Sequence, residues 1–72
     1  MYKETFPEKL RQARKDAGYT QKQIEDILNI QQAVLSSYET GRTQPDLESL
    51  GKLADFYAVS VDWLLGTKGK NT

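Results

Sequence analysis

The stretch TQKQIEDILNIQQAVLSSYETG, residues 20–41, predicts two short helices joined by a tight turn. Thr20 and Gln23 have the spacing of a capping box, in which each side chain bonds the backbone N–H of the other residue. This box predicts a helix over about 21–28. Asn29 tolerates the left-handed backbone conformation that ends a helix tightly, so we expect the chain to turn there.

The second helix is expected over about 32–40, and Gly41 closes it. Ile30, in the turn before it, is apolar enough to be buried. Apolar residues at helical spacing give both helices an inward face. In the first helix this face comprises Ile24, Ile27 and Leu28. In the second helix it comprises Val34, Leu35 and Tyr38.

A further helical pattern precedes this pair. Thr5 and Glu8 form another capping box, with Pro7 in the first turn. We therefore expect a helix over about 6–17, stopped by Gly18. Its inward face comprises Phe6, Leu10, Ala13 and Ala17.

Two more helices are predicted after the pair. The polar segment RTQPD forms a loop, and its last residue, Asp46, is a good N-cap for a helix over about 47–57. The inward face of that helix comprises Leu47, Leu50, Leu53, Ala54 and Tyr57. Ser60 then caps a last short helix that ends at Gly66.

The composition limits both the size of the fold and its chemistry. A chain of 72 residues forms one domain, which we place at residues 1–66, followed by a polar, flexible tail at residues 67–72. Every predicted element is a helix, so the fold class is all-α. The chain has no cysteine and no histidine, which removes the commonest nucleophiles, general bases and transition-metal ligands. We expect no enzyme activity, no metal and no cofactor.

Charge and hydropathy give no sign of a membrane. Lys and Arg number 10, as do Asp and Glu, so the formal net charge is zero. No apolar run reaches the roughly 18 residues of a membrane-spanning helix, and the N-terminus lacks an apolar signal segment. We therefore expect a cytoplasmic protein with no membrane partner.

From Phe6 to Gly66 the sequence resembles the lambda-repressor-like (Cro-type, XRE) helix-turn-helix domain of bacterial and phage transcription regulators. The resemblance is carried by LRQARKDAGYTQKQI at 10–24 and by VLSSYETGRTQPDLESLGKLADFYAVSVDWLLG at 34–66. It implies a compact five-helix fold in which helices 2 and 3 form the helix-turn-helix. It further implies sequence-specific binding to a double-stranded DNA operator, as a homodimer and in the role of a repressor.

The third helix is expected to carry the residues that read DNA bases. A recognition helix presents side chains to the major groove only on the face turned away from its own core. This leaves Gln31 at the entry, followed by Gln32, Ala33, Ser36 and Ser37. Gln amides form two-point contacts with adenine, Ser hydroxyls donate or accept, and the Ala methyl touches the thymine methyl. The alternative is an ordinary solvated helix surface, and Gln31 can equally be a weak cap.

Residues beside this face are expected to contact DNA phosphates and so to fix the register. At the N-terminus of helix 2, free backbone N–H groups favour an anion beside Thr20 and Gln21, and the family's counterpart of Gln21 binds phosphate. Four residues in or just before the loop after helix 3 resemble the family's second phosphate clamp: Thr40, Arg42, Thr43 and Gln44. For the two threonines, simple loop solvation is the alternative.

The resemblance also implies an ion pair between Arg14 and Glu39 that holds helices 1 and 3 in register. Arg14 is expected to reach a phosphate as well. The chain departs from the family at Glu25, where a small residue is usual near the closest approach of helices 2 and 3. Glu25 is expected to extend into solvent or to pair with Lys22, or else helices 2 and 3 must splay slightly.

Apolar residues near the C-terminus leave two possibilities open. Trp63 and Leu64 are expected to close the small core. A homodimer patch would need exposed residues among Leu50, Phe56, Tyr57 and Leu65. The zero net charge also leaves open a second function, that of a protein-interaction module of the antitoxin or anti-repressor type.

Overall fold

The computed structural model describes residues 2–66, with side chains from Thr5 onward. This part of the chain is all-α, with five helices and no strand, which confirms the predicted fold class. The helices are α1 Tyr2–Ala17, α2 Gln21–Leu28, α3 Gln32–Thr40, α4 Leu47–Tyr57 and α5 Val61–Leu65. None of them is long and apolar enough to cross a membrane. The predicted tail at residues 67–72 lies outside the described residues.

The start of α1 differs from the prediction. The helix begins at Tyr2, so Thr5 lies within it and the expected capping box does not begin it. Pro7 also lies inside the helix. Proline is tolerated best in the first turn of a helix, and Pro7 lies beyond that turn of α1. The residues ahead of it nevertheless continue the helix, and Lys and Glu among them are good helix formers. The predicted end at Ala17 is confirmed.

The boundaries of the other four helices are confirmed, and local caps set most of them. At the start of α2, the Thr20 N–H donates to Gln23 Oε1 at 2.8 Å, and the Gln23 N–H donates to Thr20 Oγ1 at 3.1 Å. Asp46 and Ser60 accept from backbone N–H groups at the starts of α4 and α5. Asn29 ends α2 with a φ of 59°, in the left-handed region.

Each helix contributes one large, fully buried side chain to the centre of the core. These side chains are Leu10, Ile24, Leu35, Leu53 and Leu64. Ile30, in the turn between α2 and α3, is buried as predicted. Helix α1 packs against α5 and α3, and α2 packs against α3. One side of α3 is therefore held against its neighbours.

Four residues assigned to inward faces are exposed instead: Ala17, Ile27, Val34 and Leu47. Ile27 is 51% exposed and Leu47 is 87% exposed. Periodicity predicts a wide apolar stripe, but the neighbouring helices cover only its centre, at Ile24 in α2 and Leu35 in α3. Ala17 and Leu47 are the last and first residues of their helices, beyond the buried part of each stripe.

Gly41 closes α3 at a point of close approach to α1. Its φ is 83°, and a Cβ placed there would lie 3.3 Å from Cγ of Pro7. A larger residue is therefore disfavoured by its backbone conformation and also by contact with proline. The sequence predicts the helix end at this glycine, whereas its contact with α1 becomes visible only in the structure.

Candidate nucleic-acid interface

The accessible side of α3 carries the residues predicted to read DNA bases. Leu35, Tyr38 and Glu39 are the buried residues of this helix. The five predicted base readers lie outside this buried set, exposed or half-buried: Gln31, Gln32, Ala33, Ser36 and Ser37. The packing of α3 thus leaves these side chains accessible to a partner.

The two glutamines at the start of α3 are available for contacts. Gln31 occupies the N-cap position, but its side chain makes no capping hydrogen bond. Gln31 is therefore an N-cap by position only, and its side-chain amide is left available. Gln32 is exposed, and its side chain has no hydrogen-bond partner among the described residues. Both amides can donate and accept at once, as a two-point contact with a base requires.

Hydroxyl groups near the other end of α3 are bonded within the protein. The Ser37 hydroxyl donates to the Val34 carbonyl at 2.6 Å and lies 2.7 Å from Thr43 Oγ1. A hydroxyl has one proton, so Thr43 is the donor in the second contact. Thr40 Oγ1 donates to the Ser36 carbonyl at 3.0 Å. A phosphate contact from Thr40 or Thr43 therefore requires that hydroxyl to leave an internal bond, because phosphate oxygens need donors. Donation from Ser37 to a base carries the same requirement.

The loop after α3 is fixed to the helix through one carbonyl group. The Ser37 carbonyl accepts from the backbone N–H of Arg42 at 3.0 Å and of Thr43 at 3.3 Å, in addition to that of Gly41. The side chains of Arg42 and Gln44 are exposed, without a hydrogen bond or ion pair to the described part of the chain. Among the predicted phosphate contacts at this end, these two are ready to bind.

The N-terminus of α2 presents free backbone donors. The N–H groups of Thr20 and Gln23 are used in the capping box. Those of Gln21 and Lys22 have no acceptor within residues 2–66. Free N–H groups at a helix start, together with the positive end of the helix dipole, favour an anion such as a phosphate.

Arg14 and Glu39 form a buried two-point ion pair between α1 and α3. Arg14 Nε lies 2.8 Å from Glu39 Oε2, and Arg14 Nη2 lies 3.0 Å from Oε1. A third donor, Nη1, reaches the Tyr19 carbonyl at 2.8 Å. The hydrogen bond with Glu39 raises the pKa of Arg14. Arg14 is only 9% exposed, so a phosphate contact is left to its remaining N–H groups.

Gln21 connects the start of α2 with this ion pair. Its half-buried side chain donates from Nε2 to Glu39 Oε1 at 3.1 Å. Sequence reasoning missed this contact, because 18 positions separate the two residues and no local pattern links them. The residue predicted to hold a phosphate is thus bonded directly to the buried pair.

Glu25, where the chain departs from the family pattern, pairs with Lys22. Lys22 Nζ lies 3.7 Å from Glu25 Oε1 and 3.9 Å from Asp26 Oδ1. The Glu25 side chain is 33% exposed, so the carboxylate remains at the surface of α2. Neither these acidic residues nor any others in the described chain form a group that could hold a metal ion.

The structure narrows the residues available for a homodimer patch. Tyr57 is excluded from such a patch, because its side chain is buried. Its hydroxyl has no hydrogen-bond partner in the described chain. Burial raises the pKa of Tyr57, and the negative charge of Glu39 raises it further. Leu64 is buried in the core. Half-buried residues remain at the edge of the core: Leu50, Phe56, Trp63 and Leu65.

An apolar groove of about 340 Å³ lies beside the loop that follows α3. Its walls include Phe6, Pro7, Pro45, Leu47, Leu50 and Leu65. No pattern in the sequence indicates this groove, since the periodic pattern places Leu47 in the core. The exposed Leu47 stands at the groove and adds apolar surface to this side of the domain.

Comparison with known proteins places this geometry in a family. A family model described as "Helix-turn-helix" matches residues 10–64, which include α2, the turn and α3. The chain belongs to this helix-turn-helix family. The match confirms the family predicted from the sequence.

Named relatives of this helix-turn-helix chain are regulators of transcription. It is 48% identical over 58 residues to the HTH-type transcriptional regulator ImmR of Bacillus subtilis (strain 168), covering 81% of this chain and 46% of ImmR. The chain is 37% identical over 60 residues to the HTH-type transcriptional activator BcrR of Enterococcus faecalis, covering 83% of this chain and 29% of BcrR. The chain is 37% identical over 59 residues to the cryptic phage CTXphi transcriptional repressor RstR of Vibrio cholerae, covering 82% of this chain and 53% of RstR. The matched region thus spans about half or less of each relative.

Proposed function

We propose that this helix-turn-helix chain is a transcriptional regulator that binds double-stranded DNA sequence-specifically, with α3 in the major groove. The observation that carries the proposal is the outer side of α3. There, neutral side chains able to donate and accept remain accessible beside a buried face that fixes the helix to the domain. Membership in the helix-turn-helix family supports the same docking.

Base reading is assigned to the start and middle of α3. Gln31 and Gln32 supply unbonded amides, which match the donor and acceptor pair of adenine in the major groove. Ala33 supplies a methyl group for thymine. Ser36 and Ser37 complete the set, and Ser37 acts as an acceptor while its own hydroxyl donates to the Val34 carbonyl.

Two groups of phosphate contacts beside α3 would fix its register in the groove. The first anchor comprises Gln21 and the free N–H groups at the start of α2, with Thr20 and Arg14. The second anchor comprises the side chains at the end of α3 and in the loop after it: Thr40, Arg42, Thr43 and Gln44. Two separate anchors restrict the orientation of α3 on the duplex.

The wider role follows from the relatives as a proposal. We infer a repressor that acts as a homodimer on an operator with two half-sites in the cytoplasm, without metal or cofactor and without a membrane partner. RstR is named a repressor and BcrR an activator, so both outcomes occur among similar proteins. We prefer repression, which the sequence resemblance implies and which is the role named for RstR.

Selection of bound duplexes from a random pool tests the proposal. We expect enrichment of a two-fold symmetric site, with affinity that falls steeply as salt rises from about 50 to about 200 mM, because phosphate contacts release counterions. Binding that is absent, or that is insensitive to salt, would contradict it. The alternative function, that of a protein-interaction module, is favoured by the apolar groove beside Leu47. If the chain binds no DNA, this alternative replaces the proposed function.

A further inference from the structure

Glu39 is a buried carboxylate that accepts hydrogen bonds from Gln21 as well as from Arg14, its ion-pair partner. Its two oxygens accept from Arg14 Nε at 2.8 Å and from Arg14 Nη2 at 3.0 Å. Oε1 also accepts from Gln21 Nε2 at 3.1 Å. The Glu39 side chain is only 2% exposed and is therefore shielded from solvent, whereas Gln21 is half-buried at the surface.

We propose that Glu39 is a positioning residue for the phosphate contact of Gln21. This inference rests on the proposed DNA binding and names the residue through which one of its anchors is held. Glu39 itself touches no DNA. It acts by fixing the orientation of the Gln21 amide before the duplex arrives.

The chemistry of a primary amide explains how this works. A carboxylate only accepts, so Glu39 selects the NH₂ end of the Gln21 amide and fixes which way the group is turned. One N–H of that group is used on Glu39. The second N–H points in another direction and can donate to a phosphate oxygen, which also only accepts.

Arg14 makes the arrangement effective in two ways. Its two-point contact holds the Glu39 carboxylate in one position, so the amide bonded to it loses little further freedom when DNA binds. Its positive charge also balances that of Glu39, so an incoming phosphate does not meet an uncompensated negative charge.

A second glutamine provides a matched comparison on the same molecule. Gln12 Nε2 donates to Asp16 Oδ1 at 2.9 Å on the exposed side of α1. The donor and acceptor types are the same, but no guanidinium among the described residues holds Asp16, and both residues are exposed. Gln12 therefore controls for the loss of an amide-to-carboxylate bond that has no link to the buried pair.

A double-mutant cycle tests the proposal on the whole chain. The variants are Q21M, which removes the amide at similar length, E39D, which keeps the charge but withdraws the carboxylate by one methylene, and the double variant. Affinity is measured by fluorescence anisotropy on a labelled random-sequence duplex of about two helical turns, over a range of salt. We expect Q21M and E39D each to weaken binding roughly three- to tenfold, the range of one ordinary hydrogen bond, and the double variant to bind like Q21M.

Three results decide the outcome. If the losses multiply in the double variant, Glu39 acts on the fold alone and the proposal is overturned. Binding by Q12M should equal that of the unchanged chain; an equal loss in Q12M would show that the effect has no link to the buried pair and would also overturn the proposal. If the unchanged chain shows no salt-dependent binding, it is the proposed function that fails, which is a different result.

A spectroscopic measurement keeps the proposal testable if E39D unfolds. In the unchanged chain, the side-chain NH₂ protons of Gln21 should show a rigid, hydrogen-bonded pair of NMR signals, in contrast to those of exposed Gln32. Addition of the duplex should shift only one proton of that pair strongly. Signals of Gln21 as mobile as those of Gln32 would overturn the proposal.

Discussion

The two anchors beside α3 are built differently, although the sequence predicts the same task for both. At the start of α2, Gln21 is bonded to Glu39, which is buried and paired with Arg14. At the loop after α3, the hydroxyls of Ser37 and Thr43 bond each other at the surface. The first anchor is tied to the core by charge, and the second is tied to its own helix by neutral, local bonds.

This difference predicts how each anchor responds to damage. A buried ion pair transmits the loss of one partner to the whole fold, because the other charge is left without compensation. Exposed hydrogen bonds exchange with water, so their loss stays local. Substitutions in the buried pair of the first anchor should therefore lower stability strongly, whereas those at the second anchor should lower it little. Substitutions at either anchor should weaken DNA binding.

The largest effect is expected for Arg14→Met. It leaves the Glu39 carboxylate buried without its partner, and we expect a loss of about 3–5 kcal/mol in the free energy of unfolding. Urea denaturation followed by the fluorescence of the single Trp63 measures it. The double variant R14M/E39M is the control, since it replaces both charges by apolar groups and should recover most of the loss. A small loss in Arg14→Met alone would show that the pair is not coupled to the fold.

Gln32→Ala tests base reading by the accessible side of α3. We expect it to lower discrimination between the selected site and a site with one changed base pair by about 1–3 kcal/mol, because a two-point amide contact is removed. Competition binding with paired duplexes measures this difference. Stability should not change, since Gln32 is exposed. Equal loss on all duplexes would contradict base reading by this residue.

Arg42→Ala tests the second anchor through its free side chain. Binding to all duplexes should weaken to a similar degree, and the slope of log affinity against log salt should fall by about one unit, because one phosphate contact is lost. The matched control is Arg42→Lys, which keeps the charge and should keep most of the slope. An unchanged slope in Arg42→Ala would remove Arg42 from the phosphate contacts.

Thr43→Val tests the hydroxyl contact that ties the loop to α3. The change keeps the shape and removes the donor to Ser37, at 2.7 Å in the structure. We expect a loss of about 0.5 kcal/mol in unfolding free energy, at the low end for a hydrogen bond because the site is exposed. Thermal unfolding followed by circular dichroism measures it. A loss as large as that of Arg14→Met would abolish the contrast between the anchors.

The smallest effect is a pH dependence at the start of α4. Asp46 accepts from the Ser49 N–H at 2.8 Å, and this bond lowers the pKa of Asp46 from 3.8. A lowered pKa in the folded state adds stability above the unfolded value that is lost as pH falls through the folded value. Asp46→Asn should therefore flatten the acid side of the stability profile, below a pH of about 4. An identical profile for both chains would exclude this cap as a source of acid sensitivity.

Most helix boundaries were predictable because caps act over three or four residues. Thr20 with Gln23, Asp46 and Ser60 each mark a start, and the structure forms all of these caps. The predicted start of α1 was wrong. Thr5 and Glu8 have the spacing of a capping box, yet the chain ahead of Thr5 continues the helix. A capping motif thus predicts a helix nearby without deciding that the helix begins there.

Burial was less predictable than helix position. The periodic pattern placed Val34 and Leu47 in the core, whereas they are 36% and 87% exposed. Helical spacing says which residues share a face, but the area covered depends on where the neighbouring helices lie. The predicted base readers and phosphate contacts remain predictions, though the structure shows which of their side chains are already bonded.

The sequence by itself determined the five-helix order, the helix-turn-helix and the accessible polar side of α3, because caps, turns and periodicity act within a few residues. Only the tertiary structure decided that Gln21 bonds Glu39 and that Gly41 lies against Pro7. Those contacts join residues far apart in the chain. Their formation depends on how α1, α2 and α3 pack around a shared core, and no local pattern of residues specifies that arrangement.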